Sequence, residues 1–245
     1  MRLSQSKKSK RVNPGSVFTL PAVLLLVLVL YAPVAVGFYE SLHNIRGAVP
    51  DEFVGLRNYQ LVFTDPTLPQ MIWRTILFVI AATAFTVIVA MLIAIAVDDL
   101  PNRLANIAQI GIIIPWAISS IVGAALFRWF YVSDLGFFRY ALSLMSLEFE
   151  PLMNPSTAMA ALVGSAVWKK AGFAVVLLLS GLKAIPLELY EAARVDGATR
   201  IQSFTRITLP LVKGQIAIVA IVLAISNFNE VELPLVVTGG GPLDT

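Results

Sequence analysis

The sequence predicts an all-α polytopic membrane protein, and both its composition and its apolar runs favour this fold class. Hydrophobic residues make up 58% of the 245 residues and charged residues 13%, about half the charged share of a soluble domain. Five apolar runs are each long enough to cross a bilayer as a helix. They lie at about 16–38, 71–97, 107–130, 157–182 and 214–237. The composition excludes a soluble domain, and the net charge of +3 gives no signal for nucleic acid.

The N-terminal segment, residues 1–15, is polar and basic and precedes the first run. Its cations are Arg2, Lys7, Lys8, Lys10 and Arg11. A secretory signal peptide has a similar pattern, including small residues such as those around Ala35. Because the run 16–38 is long enough to span the membrane, we interpret it as a spanning helix and the basic segment as an orientation signal.

The chain carries no pattern typical of a metal site or an enzyme. It has no cysteine, and its one histidine, His43, lies in the mixed segment 40–70. The glycine-rich stretch near the C-terminus lacks the lysine of a phosphate-binding loop. Pro115 stands inside the third run and predicts a kink in that helix.

The polar segment 183–213, between the last two runs, predicts a hairpin of two short helices. Pro186 suits the first turn of a helix, and Gly197 can take the left-handed conformation that ends it after about ten residues. The spacing in Thr199–Gln202 is that of a capping box, so a second short helix can begin there and run until Pro210.

The positively charged residues indicate how the chain is oriented. If the N-terminus is cytoplasmic, the inner segments carry eleven of the eighteen, namely Arg2, Lys7, Lys8, Lys10, Arg11, Arg103, Lys183, Arg194, Arg200, Arg206 and Lys213. The outer segments carry five, namely Arg46, Arg57, Arg74, Arg128 and Arg139. This bias follows the positive-inside rule and predicts that the N-terminus and the segment 183–213 are both cytoplasmic.

The segment 183–213 also contains a spaced motif. Glu191, Ala192 and Ala193 are followed by Gly197, and Ile207-Thr-Leu-Pro210 begins ten residues beyond that glycine. This spacing resembles the EAA loop of ATP-binding-cassette (ABC) importer permeases. Other phrases are similar to the carbohydrate-uptake (maltose/glycerol-phosphate-type) branch and extend the resemblance over nearly the whole chain. They are Phe53-Val-Gly-Leu-Arg-Asn-Tyr59, Trp168 with Phe173, and Thr238-Gly-Gly-Gly-Pro242.

This resemblance implies the helical bundle of a type I ABC importer permease in the inner (cytoplasmic) membrane. It implies a heterodimer with a second permease subunit, an ATP-binding-cassette ATPase dimer, and an extracytoplasmic substrate-binding protein. ATP and Mg²⁺ would bind to the ATPase, with no cofactor on this chain. The residues it assigns to ATPase coupling are Glu191, Ala192, Ala193, Asp196 and Gly197. It also implies a sixth span after the Gly-Gly-Gly-Pro turn. Five spans are visible before Thr245, so either the sequence is truncated or the chain works with five spans.

Polar residues inside the fourth and fifth runs are candidates for a substrate pathway. Lys169 and Lys170 lie near the middle of the fourth run, where a lysine costs roughly 2.5–3.5 kcal/mol to insert. We expect them to face water or a partner. Asn227 and Glu230 share a helix face and suit sugar hydroxyls, while Phe173 offers a stacking surface for a sugar ring. Alternatively, the lysines and glutamates pair with one another and hold the spans together.

We therefore expect the permease subunit of an ATP-driven importer for a sugar or sugar derivative, without enzymatic activity. A secondary transporter or a structural membrane subunit is the alternative, in which intramembrane charges serve ion coupling or packing. A neutral mono- or oligosaccharide is the expected substrate. An anionic sugar or glycerol phosphate is the alternative substrate, because a lysine facing the pathway would suit a phosphate or sulfonate.

Overall fold

Helices make up most of the protein in the computed structural model, which describes residues 14–46, 49–132, 136, 137, 140, 144, 152 and 154–239. Two compact units divide the chain, Met1–Leu68 and Pro69–Thr245. Most of the basic N-terminal segment and most of the predicted Gly-Gly-Gly-Pro turn lie outside the described residues.

The first unit contains one long apolar helix, a hairpin and a short helix. Its elements are α1 (Pro14–Leu26), a π-helical turn (Val27–Tyr31), α2 (Ala32–Ser41), β1 (His43–Arg46), β2 (Val49–Phe53) and α3 (Arg57–Thr64). The two strands pair antiparallel. The helix is continuous over Phe18–Ser41, where it is long and apolar enough to cross a membrane. Pro33 follows the π-helical turn, which accommodates a residue that cannot donate a backbone hydrogen bond.

The second unit is a set of helices packed around one buried helix, α7. Its elements are α4 (Leu68–Asp98), α5 (Asn102–Ala117), α6 (Ser120–Val132), α7 (Pro155–Lys183), α8 (Leu187–Val195), α9 (Arg200–Ser203), a π-helical turn (Phe204–Thr208), α10 (Leu209–Phe228) and α11 (Glu232–Thr238). Helix α7 packs against α5, α6, α10 and α11. Buried alanines on α7, such as Ala158, Ala166 and Ala174, allow these neighbours to approach closely.

Helices α5 and α7 meet most tightly where α7 has no side chain. A Cβ atom at Gly172 would overlap the backbone carbonyl of Ile112 on α5. At Gly164, on the same helix, a Cβ atom would have nothing within 4 Å. Gly172 is therefore required for the packing of α5 on α7, as small residues often are where helices cross in a membrane.

The third predicted span, 107–130, is two helices rather than one kinked helix. Helices α5 and α6 meet at an angle of 91° across Ile118 and Ser119. Helix α5 continues past Pro115, so the predicted position of the kink is wrong. The last carbonyl groups of a helix have no partner within the helix, and the carbonyl of Ile118 accepts a hydrogen bond from the Lys169 ammonium. The sequence around Ile118 does not indicate this contact, because Lys169 lies 51 positions away.

The fifth predicted span, 214–237, also differs from the structure. A continuous helix runs over Arg200–Phe228, so the second short helix of the loop does not stop at Pro210 as predicted. The π-helical turn before Pro210 rearranges the backbone hydrogen bonds and removes the conflict with the proline ring. The helix instead ends at Phe228, and α11 begins after a short break.

Candidate functional site

The segment 183–213 forms a hairpin whose turn is held by local hydrogen bonds. Gly197 follows α8 with a φ angle of +77°, the left-handed conformation that the sequence predicts. The predicted capping box is also confirmed. The backbone N–H of Thr199 donates to the Gln202 side chain over 2.8 Å, and the N–H of Gln202 donates to the Thr199 hydroxyl over 3.3 Å.

The residues assigned to ATPase coupling lie on the surface of this hairpin. Four of these residues are exposed, namely Glu191, Ala192, Asp196 and Gly197, while Ala193 is half-buried. Leu189, which shares a face of α8 with the two alanines, is also exposed. Helix α8 therefore leaves much of this face open, which suits contact with a separate protein.

Tyr190 attaches α8 to the long helix that follows it. Its hydroxyl lies 2.8 Å from the Oγ1 atom of Thr208, in the π-helical turn before α10. Tyr190 also borders a cavity of about 640 Å³ between α8 and the end of α4. The sequence analysis missed this residue, although a tyrosine in a short helix without another aromatic residue was a signal for an anchored side chain.

A buried polar network joins three helices near the middle of α7. The Lys170 ammonium donates a hydrogen bond of 2.7 Å to the Asn227 side chain and lies 3.0 Å from the Glu230 carboxylate. The Asn227 amide nitrogen donates to the Thr83 hydroxyl on α4 over 3.1 Å. Lys170 thus fixes the end of α10, because Asn227 lies in the last turn of this helix and Glu230 lies in the break before α11.

Lys169 lies at the other helix break. Its ammonium donates to the carbonyl of Ile118, between α5 and α6. A helix C-terminus carries partial negative charge, so a lysine is electrostatically favourable at each of these two positions. Gly123 on α6 lies beside the lysine stem, and a Cβ atom there would make an ordinary contact of 3.6 Å with Lys169 Cδ.

The two lysines do not meet the expectation that they face water or a partner. Only 8% of the Lys169 surface and 6% of the Lys170 surface are exposed. Each ammonium binds a group of this same chain. The contacts agree with the alternative in which the charged residues hold the helices together. The sequence did not indicate Thr83 or the break at Ile118 as part of a site. Thr83 is far along the chain from Asn227, and Ile118 is far from Lys169.

The aromatic candidate, Phe173, lies one turn beyond the lysines on α7. Its ring stacks on Trp116, with centroids 5.3 Å apart and planes inclined by 16°. Trp116 is 48% exposed and lies next to the α5–α6 break. The sequence analysis did not single out Trp116. The two rings together form a larger aromatic surface than the predicted Phe173 alone.

The class of the protein follows from a comparison with known families. The model of the family described as binding-protein-dependent transport system inner membrane component matches residues 70–245. The chain therefore belongs to this family. It is the transmembrane permease of an ABC transporter of the sugar-transporting kind and not an enzyme, since the ATPase of such a system is a separate chain.

Individual relatives cover most of the chain. It is 33% identical over 225 residues to the sulfoquinovosyl glycerol transport system permease protein SmoG of Agrobacterium fabrum, covering 91% of this chain and 73% of the relative. It is 32% identical over 243 residues to the trehalose/maltose transport system permease protein MalF of Thermococcus litoralis, covering 98% and 82%. A crystal structure of a bacterial alginate ABC transporter in complex with an alginate pentasaccharide-bound periplasmic protein is also similar. The TM-score is 0.72 at 25% identity, over 86% of this chain and 70% of that one.

Proposed function

We propose that the protein moves a sugar into the cytoplasm and is driven by ATP through the loop 183–213. The observation that carries this proposal is the exposed helix α8, which joins a helix that continues without interruption over Arg200–Phe228. A displacement of α8 would be transmitted along this helix to the break that Lys170 holds. A regular helix transmits such a movement, whereas a flexible loop would absorb it.

The proposed orientation places the N-terminus and the loop 183–213 in the cytoplasm. Its support is the excess of lysines and arginines in the segments on that side of the membrane. The loop then lies where an ATPase has access to it. A secondary transporter would have no need of such an exposed, locally ordered hairpin.

The proposed assembly contains this chain, a second permease subunit, an ATP-binding-cassette ATPase dimer and an extracytoplasmic substrate-binding protein. The similar alginate transporter, which was crystallised with a periplasmic protein, supports the last of these partners. ATP and Mg²⁺ belong to the ATPase in this scheme. The contribution of the present chain is the pathway and the coupling hairpin.

Glu191 is our candidate for the contact with the ATPase, because it is exposed on α8. A basic residue of the ATPase is its expected partner. Charge reversal in Glu191→Lys should weaken the association of the subunits, and a compensating reversal in the ATPase should partly restore it. Glu188→Lys, on the first turn of the same helix, is the matched control. If Glu191→Lys leaves the complex intact and its coupling unchanged, Glu191 does not make the contact with the ATPase.

The proposed substrate is a neutral mono- or oligosaccharide. A carboxylate compensates the Lys170 ammonium, and the Lys169 ammonium is buried and donates to a backbone carbonyl, so neither ammonium is presented to a substrate. The Trp116–Phe173 pair provides a surface on which a sugar ring can stack. The named substrates of the relatives differ, from sulfoquinovosyl glycerol to trehalose/maltose, so the choice rests on the charges of this chain.

The proposed function is tested in proteoliposomes that contain the complete transporter. The substrate-binding protein, loaded with sugar, should stimulate ATP hydrolysis, and this stimulation should disappear when the present chain is omitted. Uptake that follows an ion gradient and continues without the ATPase would show a secondary transporter instead. Unstimulated hydrolysis together with absent uptake would indicate a structural subunit.

The substrate class is tested with Lys169→Gln and Lys170→Gln. Uptake of a neutral disaccharide and of glycerol phosphate is measured with each variant, and the ratio of the two is compared with the unmodified transporter. We expect the ratio to stay the same, because the ammonium groups do not face the substrate. A selective loss of glycerol phosphate uptake would establish an anionic substrate. The ratio does not depend on how much protein is inserted.

A further inference from the structure

The short helix α3 (Arg57–Thr64) is fixed to the end of the first apolar helix. The Asn58 side-chain amide donates to the backbone carbonyls of Ser41 and His43, each over 2.9 Å. The Tyr59 hydroxyl lies 2.7 Å from the Ser41 hydroxyl. Ser41 is the last residue of the helix that is long and apolar enough to cross a membrane.

The other end of α3 lies close in sequence to a second membrane-crossing helix. Only residues 65–67 separate Thr64 from Leu68, where α4 begins. Asp65 fixes this connection, since its carboxylate accepts hydrogen bonds from the backbone N–H and the hydroxyl of Thr67, at 2.8 and 2.7 Å. The chain therefore connects α3 at both ends to helices that are long and apolar enough to cross a membrane.

One face of α3 is apolar and exposed. Leu56, Tyr59, Val62 and Phe63 recur at the spacing that places side chains on one side of a helix. Phe63 is 78% exposed and Val62 is 52% exposed. Arg57, Gln60 and Thr64 lie on the other side, which also carries the exposed Leu61, and the apolar face contains no charged residue.

We propose that α3 is an interfacial helix whose apolar face, Leu56, Tyr59, Val62 and Phe63, is inserted between lipid headgroups. A helix with one apolar and one polar face is stable in this layer, because its apolar side chains leave water while its polar side stays hydrated. Aromatic residues such as Phe63 and Tyr59 suit this depth. The hydrogen bonds of Asn58 then fix the height of the first apolar helix relative to the lipid surface. The proposal does not depend on which side of the membrane α3 occupies.

The absence of cysteine from the chain permits a direct test by site-specific labelling. Phe63→Cys and Gln60→Cys each receive a nitroxide spin label in the complete transporter, reconstituted in phosphatidylethanolamine and phosphatidylglycerol vesicles. Collision rates are measured with oxygen, which concentrates in lipid, and with a water-soluble nickel chelate. We expect the ratio of oxygen to nickel collisions to be several-fold higher at position 63 than at position 60. Val62→Cys is a second probe of the apolar face and should agree with position 63.

Any of three other results would contradict the proposal. Predominant nickel collisions at positions 62 and 63 would show that the face is open to water. Low collision rates with both reagents at these positions would show that another protein covers it. Predominant oxygen collisions at position 60 as well would show that α3 is immersed in the bilayer rather than lying at its surface.

Discussion

The loop 183–213 and the interior around α7 are held together in different ways. In the loop, the stabilising contacts stay within the loop, from the capping box between Thr199 and Gln202 to the hydrogen bond between Tyr190 and Thr208. Around α7, they join residues far apart in sequence, as between Lys170 and Asn227. Most residues of the loop are exposed, whereas the residues of α7 that face its neighbours are buried.

This difference predicts two kinds of defect. Changes around α7 leave a buried group without its partner or push two helices apart, so they should reduce the amount of folded protein. Changes in the loop affect a small, solvated structure and leave the bundle intact. They should therefore reduce the coupling of ATP hydrolysis to transport at normal protein abundance.

The largest effect is expected for Lys170→Met. The substitution leaves the Glu230 carboxylate buried without its cation, which typically costs about 3–5 kcal/mol. We expect a strong loss of inserted protein and a lower melting temperature in detergent. The double variant Lys170→Met/Glu230→Gln removes both charges and should recover much of the stability. Equal stability of the single variant and the unmodified protein would show that the ion pair is not structural.

The second-largest effect is expected for Gly172→Ala, which disturbs the close contact of α5 and α7. In Gly172→Ala the new methyl group overlaps the carbonyl of Ile112, so the helices must separate, at a cost of about 1–3 kcal/mol. Gly164→Ala, on the same helix, is the control because its methyl group meets nothing within 4 Å. Reduced abundance only in Gly172→Ala would confirm the contact, and equal abundance of the two variants would refute it.

The same contrast explains what the sequence predicted well. The left-handed turn at Gly197 and the capping box after it depend on residue types within a few positions, so they could be read locally. The apolar runs located most of the long helices, because a segment that crosses lipid must satisfy its own backbone hydrogen bonds. The loop and the approximate positions of the spans were therefore accessible from the sequence.

The interior was predicted less well for a physical reason. A helix that is apolar on all sides has no polar face to indicate which residues meet its neighbours. The sequence placed Lys170, Asn227 and Glu230 correctly as polar residues in apolar runs, but not their contacts with one another or with Thr83. It also overstated the effect of Pro210, because a single π-helical turn is enough to carry the helix past it.

Within the loop, Gly197→Val should have the larger effect. A β-branched residue is strained at a φ angle of +77°, by roughly 1 kcal/mol or more, so the hairpin turn should rearrange. We expect normal abundance but weak stimulation of ATP hydrolysis and little uptake. Gly197→Asn is the control, since asparagine tolerates the left-handed conformation. Normal uptake by Gly197→Val would show that the shape of the hairpin does not matter for coupling.

The smallest effect is expected for Tyr190→Phe, which removes only the hydroxyl that binds Thr208. The loss of one such hydrogen bond costs about 1 kcal/mol, so α8 stays folded but is held less firmly to the long helix. We expect a partial decrease in uptake per ATP hydrolysed, at unchanged abundance. Thr208→Val removes the same bond from the other side and retains the shape of the side chain. If the bond is what couples the two helices, the double variant should be no worse than either single variant. Additive losses would show that Tyr190 and Thr208 act separately.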